Sequence, residues 1–203
     1  MTDYQYNFYR DIVPVIVNTA FKNGYNFPSA IIAQAICESN WNRSSLSSKY
    51  FNLFGMKAGT SWKGKSVNMK TKEEYNSQLV SIKDNFRAWD NLQDGIDGYF
   101  QFIQKDRYKN LKTATSPEEY IKLLKQDGWA TSSSYVNTLT KILNDNNLKQ
   151  YDKAVVVQKD KRPVKQAVMS LQQALNEYGN YNLKVDGIIG PLTQAAYEDY
   201  RKR

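Results

Sequence analysis

Apolar residues near the start of the chain recur at the three- to four-residue spacing of an amphipathic helix. This spacing predicts a helix over residues 4–22, and we expect Pro14 to kink or restart it because proline cannot complete the hydrogen bond to the preceding turn. Pro28 suits the first turn of a second helix, which the pattern predicts to run to about Asn40.

The pattern changes after this second helix. Residues 42–66 are rich in Ser, Gly and Asn and predict an ordered loop that aromatic side chains hold in place. Residues 66–89 contain two β-like runs around the polar letters YNSQ, which predicts a hairpin. Helical spacing then returns and persists to about residue 150. The expected fold is mainly α with one small β-hairpin.

The last fifty residues form a separate pattern. Residues 153–165 combine a short β-branched run, several charges and a proline, which is typical of a linker. Residues 166–203 contain two helical stretches around the turn letters VDGIIGP. The expected organisation is therefore a domain over residues 1–152, a linker over 153–165 and a small helical module over 166–203.

The charge of the chain indicates the kind of surface it meets. The formal net charge is +8, from 28 Lys and Arg against 20 Asp and Glu. This balance favours an anionic polymer as partner, but the basic residues form no long block, so nucleic acid is not specifically indicated. The N-terminal segment has no pattern of a secretory signal, and no stretch has the length of a membrane span. We expect synthesis in the cytoplasm without membrane insertion, and the sequence predicts no oligomeric state.

The chain contains no His, and Cys37 is its only Cys. This composition excludes disulfides within the chain, histidine-containing zinc sites, and the Ser-His-Asp or Cys-His catalytic arrangements. Asp90, Asp94 and Asp97 suit the positive N-terminal end of a helix better than a metal site. No metal or cofactor is expected, and any proton chemistry must use carboxylates, Tyr or Lys.

One carboxylate occupies an unusual position, in the segment QAICESNW over residues 34–41. On a helical projection, Glu38 lies beside Ile31 and Ala35, at the flank of the apolar stripe. Loss of water there would raise the pKa of the carboxyl group. From this segment alone, Glu38 is either such a desolvated acid or an ordinary surface residue that reaches solvent.

Four segments in order resemble glycoside hydrolase family 73, the β-N-acetylglucosaminidases that cut peptidoglycan. They are AQAICESNW, NLFGMK, TKEEYNSQLVSIKDNFRAW and GWATSSSYVNTLTKIL, within residues 10–150. The resemblance implies a lysozyme-like α+β catalytic domain. It also implies that the substrate is the glycan of the bacterial cell wall.

The resemblance also implies roles for individual residues. Glu38 matches the catalytic general acid, and Tyr135 matches a tyrosine that faces the sugar. The second carboxylate lies in a Thr-x-Glu context on the hairpin, which here favours Glu73. Glu74 is adjacent and remains the alternative, because neighbouring strand residues point to opposite faces.

Further residues are candidates for substrate contact. Asn52, Phe54 and Gly55 match the loop that shapes the floor of the cleft in this family. Trp62 and Trp129 could stack on the apolar face of a sugar, although tryptophans in such positions more often pin loops or fill the core.

The C-terminal module resembles the peptidoglycan-binding type 1 domain, whose centre is a VDGxxGPxT turn between two helices. Together the two resemblances imply a two-part hydrolase that binds and cuts the glycan strands of the cell wall. With a wall-binding module and no pattern of a secretory signal, the chain is similar to a phage endolysin, and its basic charge suits an anionic Gram-positive wall. The resemblances leave two alternatives open, an N-acetylmuramidase on the same fold and a non-catalytic wall-binding phage component.

Overall fold

The computed structural model describes residues 1–75, 78–152 and 164–202. The chain divides into two compact units between residues 154 and 155. The described residues are mainly helical, and their strands form a single two-stranded antiparallel sheet, so the predicted fold class is confirmed. None of the helices described is both long and apolar enough to cross a lipid bilayer.

The N-terminal segment is interrupted where the sequence predicts it. Helix α1 covers Asp3–Asn7, a π-helical turn covers Phe8–Ile12, and α2 covers Val13–Lys22 with Pro14 in its first turn. Proline lacks an amide hydrogen and crowds the preceding turn, and the wider π turn directly before it accommodates both effects.

The remaining elements of the first unit alternate between helices and the hairpin. Their bounds are α3 Pro28–Ser39, α4 Ser45–Tyr50, β1 Ser66–Tyr75, β2 Gln78–Arg87, α5 Leu92–Ile103, a 3-10 helix Asp106–Thr113, α6 Pro117–Gln126, α7 Tyr135–Asp145 and a 3-10 helix Leu148–Asp152. Helix α4 lies inside the segment predicted as a loop, which is a correction. The Ser44 side chain accepts a hydrogen bond from the Ser47 amide and so caps this short helix.

Helix α3 lies at the centre of the core. Its residues from Pro28 to Ile36 are all buried, and it packs against α2, α6 and α7. Asp152 caps its N-terminus by accepting hydrogen bonds from the Ser29 amide at 2.9 Å and the Ser29 hydroxyl at 2.6 Å. The helix that carries Glu38 is therefore held on several sides and at its first turn.

The hairpin is attached to the loop that precedes it. Its strands pair from Ser66 opposite Arg87 to Tyr75 opposite Gln78, and the predicted turn at residues 76 and 77 lies outside the described residues. At the base, the Arg87 amide donates to the Met56 carbonyl at 2.9 Å. The base of the hairpin is thus tied to the NLFG segment.

The second unit contains α8, Val164–Gly179, and α9, Pro191–Tyr200. The buried amide of Gln172 donates to the Ile188 carbonyl and accepts hydrogen bonds from the amides of Asp186 and Gly187, so one side chain organises the turn between the helices. Gly187 has the positive φ expected of the turn, +74°. The predicted linker lies outside the described residues up to residue 163.

Candidate active site

Glu38 lies in the last turn of α3, directly before an unusual backbone segment. Asn40, Trp41 and Asn42 all have left-handed backbone angles, with φ of 51°, 61° and 62°. Such angles are unfavourable for residues with a side chain, and a run of them persists only where the surroundings hold it. The Trp41 ring packs edge-on against Phe8 at 5.5 Å between centroids, which anchors the segment.

Three residues from other segments surround the Glu38 carboxyl group. The Tyr135 hydroxyl donates a hydrogen bond to Glu38 Oε1 at 3.0 Å, and Trp129 interacts with the same carboxyl group. A Cβ atom on Gly55 would lie 3.6 Å from Glu38 Oε2, so Gly55 is next to the other carboxyl oxygen. The structure therefore brings together Glu38, Tyr135, Trp129 and Gly55, which are far apart in the sequence.

The surroundings of Glu38 favour its protonated form. Burial raises the pKa of Glu38 above its ordinary value, and the hydrogen bonds from Tyr135 and Trp129 offset part of this rise. Glu38 as a whole residue is nevertheless partly exposed. Of the two interpretations that the sequence left open, the structure supports the desolvated acid.

Tyr135 is held in place as a neutral donor. It is the first residue of α7 and is 6% exposed. Burial raises the pKa of Tyr135 far above its ordinary value, and the nearby Glu38 carboxyl adds to this rise. The phenol therefore stays protonated, and its hydroxyl donates a hydrogen bond to Glu38.

Gln34 belongs to the same cluster, although the sequence did not identify it as a site residue. It is fully buried one turn before Glu38, and its carbonyl oxygen accepts a hydrogen bond from the Tyr99 hydroxyl at 2.7 Å. The Gln34 amide also opposes the rise in the pKa of Tyr135, so it lies beside the phenol oxygen. The sequence feature that could have identified Gln34 is its position as a polar residue within an otherwise apolar stretch of α3.

The NLFG segment, residues 52–55, is fixed next to Glu38 by buried contacts. The Asn52 side chain donates to the carbonyls of Met56 and Arg87 at 2.9 Å each and accepts from the Met56 amide at 2.9 Å. Phe54 stacks on Tyr99 with centroids 3.8 Å apart. Asn52 and Phe54 are each 1% exposed, so neither has side-chain surface free for a substrate, and their role in the floor of a cleft stays a prediction.

Gly55, in the same segment, differs from Asn52 and Phe54 in its backbone conformation and its position beside Glu38. Its φ is +64°, in the left-handed region that favours glycine, and it adjoins Glu38 as described above. The predicted contact of Gly55 with substrate is consistent with this position and stays a prediction.

Both candidate tryptophans keep part of their surface exposed. Trp129 packs edge-on against Phe102, with centroids 5.7 Å apart, in addition to its interaction with Glu38. The Trp62 indole nitrogen donates to the Lys65 carbonyl at 2.9 Å, and its ring packs edge-on against Trp89. Each has a structural role and a partly free ring, so sugar stacking stays a prediction.

The hairpin carries the candidates for the second carboxylate. Glu73 and Glu74 lie near the end of β1, opposite Val80 and Leu79 of β2. Their side chains lie outside what the structure describes, so the choice of Glu73 over Glu74 stays a prediction.

The three aspartates that resemble a metal cluster have separate partners. Asp90 pairs with Lys65 at 2.5 Å, Asp94 accepts a hydrogen bond from the Asn91 side chain at 2.8 Å, and Asp97 accepts one from Gln93 at 3.1 Å. Within the described parts of the chain, no three His, Cys, Asp or Glu side chains are grouped closely enough to hold a metal ion.

Comparison with protein families gives one match for each unit. Residues 14–148 match the family described as mannosyl-glycoprotein endo-beta-N-acetylglucosaminidase. Residues 164–202 match a peptidoglycan binding domain family.

Individual relatives agree with the first match. The chain is 33% identical over 131 residues to the exo-glucosaminidase LytG of Bacillus subtilis, covering 62% of this chain and 46% of that protein. It is 33% identical over 138 residues to a Lactococcus lactis protein named "Probable N-acetylmuramidase", covering 63% of this chain and 31% of that protein. The chain thus spans less than half the length of these two curated relatives.

A solved structure supports the same assignment of the fold. The catalytic domain of the autolysin Auto from Listeria monocytogenes superposes with a TM-score of 0.62 at 30% identity, covering 74% of this chain and 89% of that domain.

Proposed function

The chain belongs to the endo-β-N-acetylglucosaminidase family that its residues 14–148 match, and on that premise we propose that it hydrolyses the β-1,4 glycosidic bonds of peptidoglycan after N-acetylglucosamine. The proposal is supported by the names of its relatives, which include an exo-glucosaminidase and an autolysin. The observation that carries it is the Glu38 carboxyl group, whose pKa is raised by burial, which accepts a hydrogen bond from Tyr135 and whose Oε2 lies beside Gly55.

Glu38 is the general acid in this proposal. Cleavage of a glycosidic bond requires a proton donor at the leaving oxygen, and a carboxylic acid serves this purpose near neutral pH only if its pKa is raised. Burial supplies that rise for Glu38. The Tyr135 hydroxyl donates to Oε1 and leaves Oε2, on the side of Gly55, to carry the proton toward the substrate.

The second carboxylate is Glu73 in this proposal, with Glu74 as the alternative. Its task is to activate water or to stabilise the positive charge that develops on the sugar ring. Both tasks require an ionised group. A position on the hairpin, away from the core that raises the pKa of Glu38, suits that requirement.

The remaining site residues divide by their surroundings. Trp62 and Trp129 are the proposed contacts for sugar rings, because both have aromatic surface that is partly free. Gly55 is proposed to let the glycan approach Glu38. Asn52 and Phe54 hold the floor of the cleft through the buried contacts described above.

We further propose that residues 166–203 hold the protein on its polymer, with residues 1–152 as the catalytic part and 153–165 as the linker. The match of residues 164–202 to a peptidoglycan binding domain supports this role. The net charge of +8 suits a Gram-positive wall that contains anionic polymers. Action as a phage endolysin on such a wall stays a prediction.

The main alternative is an N-acetylmuramidase, which the name of the Lactococcus relative favours. Digestion of purified wall followed by identification of the sugar at the new reducing ends separates the two. N-Acetylglucosamine ends are expected. N-Acetylmuramic acid ends would establish the alternative, and the absence of new reducing ends would support a non-catalytic wall-binding protein.

A further inference from the structure

A buried cation lies next to the proposed cleft and has not been assigned a role. Arg87, the last residue of β2, is 8% exposed. Its guanidinium carbon lies 4.4 Å from the ring centroid of Trp62 and 5.1 Å from that of Phe102. Its Nε donates to the Lys57 carbonyl at 3.2 Å. Two rings and one hydrogen bond therefore fix the plane of the guanidinium group.

This cation has no acidic partner among the side chains that the structure describes, which do not include those of residues 71–81. By contrast, the exposed Lys57 and Lys65 pair with Asp84 and Asp90. The two terminal nitrogens of Arg87 donate no hydrogen bond to a described residue, and neither is among the fully enclosed polar atoms, so both reach solvent. Burial lowers the pKa of Arg87, as expected for a charge that has lost water without gaining a counter-ion.

Arg87 is also close to the catalytic groups. Its carbonyl accepts a hydrogen bond from the Asn52 side chain at 2.9 Å, so its backbone borders the segment that contacts Glu38. The Phe102 ring contacts both Arg87 and Trp129, and Trp129 interacts with Glu38. A group bound at the free edge of Arg87 would therefore be close to the sugar that Glu38 acts on.

We propose that Arg87 binds a free carboxylate on the peptide stems of the peptidoglycan substrate, an inference that rests on the proposed function. A clamped guanidinium offers two parallel N–H donors in one plane, which matches the two oxygens of a carboxylate. The peptide stems carry such carboxylates on the same polymer as the glycosidic bonds. The aromatic clamp fixes the side chain before binding, so little side-chain freedom is lost when the carboxylate arrives.

The test compares Arg87→Lys with the wild type on two soluble glycan substrates, both free of phosphate-bearing wall polymers. One substrate retains its peptide stems, and the other has had them removed. Arg87→Lys keeps the positive charge but loses the two parallel N–H donors of the guanidinium group. We therefore expect kcat/KM on the peptide-bearing strands to fall about tenfold or more. On the peptide-free strands it should stay within about twofold of wild type. Arg43→Lys is the matched control, because Arg43 stacks on Tyr4 at 4.6 Å and should tolerate the change on both substrates.

Each outcome decides the question. An equal loss on both substrates, or no loss on either, would overturn the role of Arg87, whereas wild-type inactivity on both would overturn the proposed function itself. If Arg87→Lys fails to fold, the wild type decides: we expect about tenfold faster cleavage of strands with free stem carboxylates than of strands with amidated ones. Equal rates would overturn the proposal. A third comparison uses whole walls with and without phosphate polymers, and a loss for Arg87→Lys seen only on walls that carry these polymers would overturn the proposal and assign Arg87 to phosphate.

Discussion

Replacing Tyr135 with Phe should make Glu38 a weaker acid, because the Tyr135 hydroxyl stabilises the ionised form of the carboxyl group at 3.0 Å in a largely buried setting. A hydrogen bond to a charged group contributes about 1.5–3 kcal/mol. At about 1.4 kcal/mol per pKa unit, its loss should raise the pKa of Glu38 by roughly 1–2 units. Burial already raises this pKa, and the substitution removes one of the two interactions that oppose the rise.

The predicted change is visible in the pH dependence of kcat/KM on soluble glycan strands. A general acid works only while protonated, so activity is lost as the pH rises through the pKa of Glu38. The alkaline limb of the Tyr135→Phe profile should therefore move to higher pH by roughly 1–2 units, with a lower maximal rate. Tyr25→Phe is the control, since this buried hydroxyl donates to the Ile103 carbonyl and should leave the limb in place. An alkaline limb that stays in place or moves to lower pH in Tyr135→Phe would refute the reasoning.

Three further predictions concern the hairpin, the C-terminal module and the left-handed turn. Glu73→Gln should slow wall digestion more than Glu74→Gln, and a larger loss for Glu74→Gln would assign the second carboxylate to Glu74. Removing residues 153–203 should weaken wall binding about tenfold or more in pull-down assays, while turnover of short soluble fragments stays within about twofold of the full chain; unchanged wall binding would contradict the anchoring role. Asn40→Ala should lower the free energy of unfolding by about 1 kcal/mol, because alanine tolerates the φ of 51° poorly. Asn40→Gly should be at least as stable as the wild type in urea denaturation. Equal stability of the two variants would show that the turn is not strained.

The sequence predicted those elements whose cause is local. Pro14 and Pro28 begin helices because proline suits a first turn, and the hairpin follows from two β-like runs with a polar turn between them. Helix α4 was missed because it is short and polar. Its stability depends on the Ser44 cap and on packing that becomes visible only in the folded chain.

The site was predictable to the extent that motifs mark it. Glu38 and Tyr135 were identified from separate segments, and the structure joins them by a hydrogen bond. Gln34 was not identified, because a glutamine on a buried helix face gives no sign of its partner until the partner is in place. For Arg87, the decisive facts are two aromatic neighbours and a missing acid, and these follow from tertiary packing alone.

The central claim, that Glu38 supplies the proton for glycosidic cleavage, is tested most directly by Glu38→Gln. Glutamine keeps the shape of the side chain and can still accept the Tyr135 hydrogen bond, but it cannot donate a carboxylic proton. We expect hydrolysis of soluble glycan strands to fall by about 10²–10⁴-fold, the usual contribution of a general acid, with no loss of melting temperature. A folded Glu38→Gln protein that retains activity within about tenfold of wild type would contradict the account.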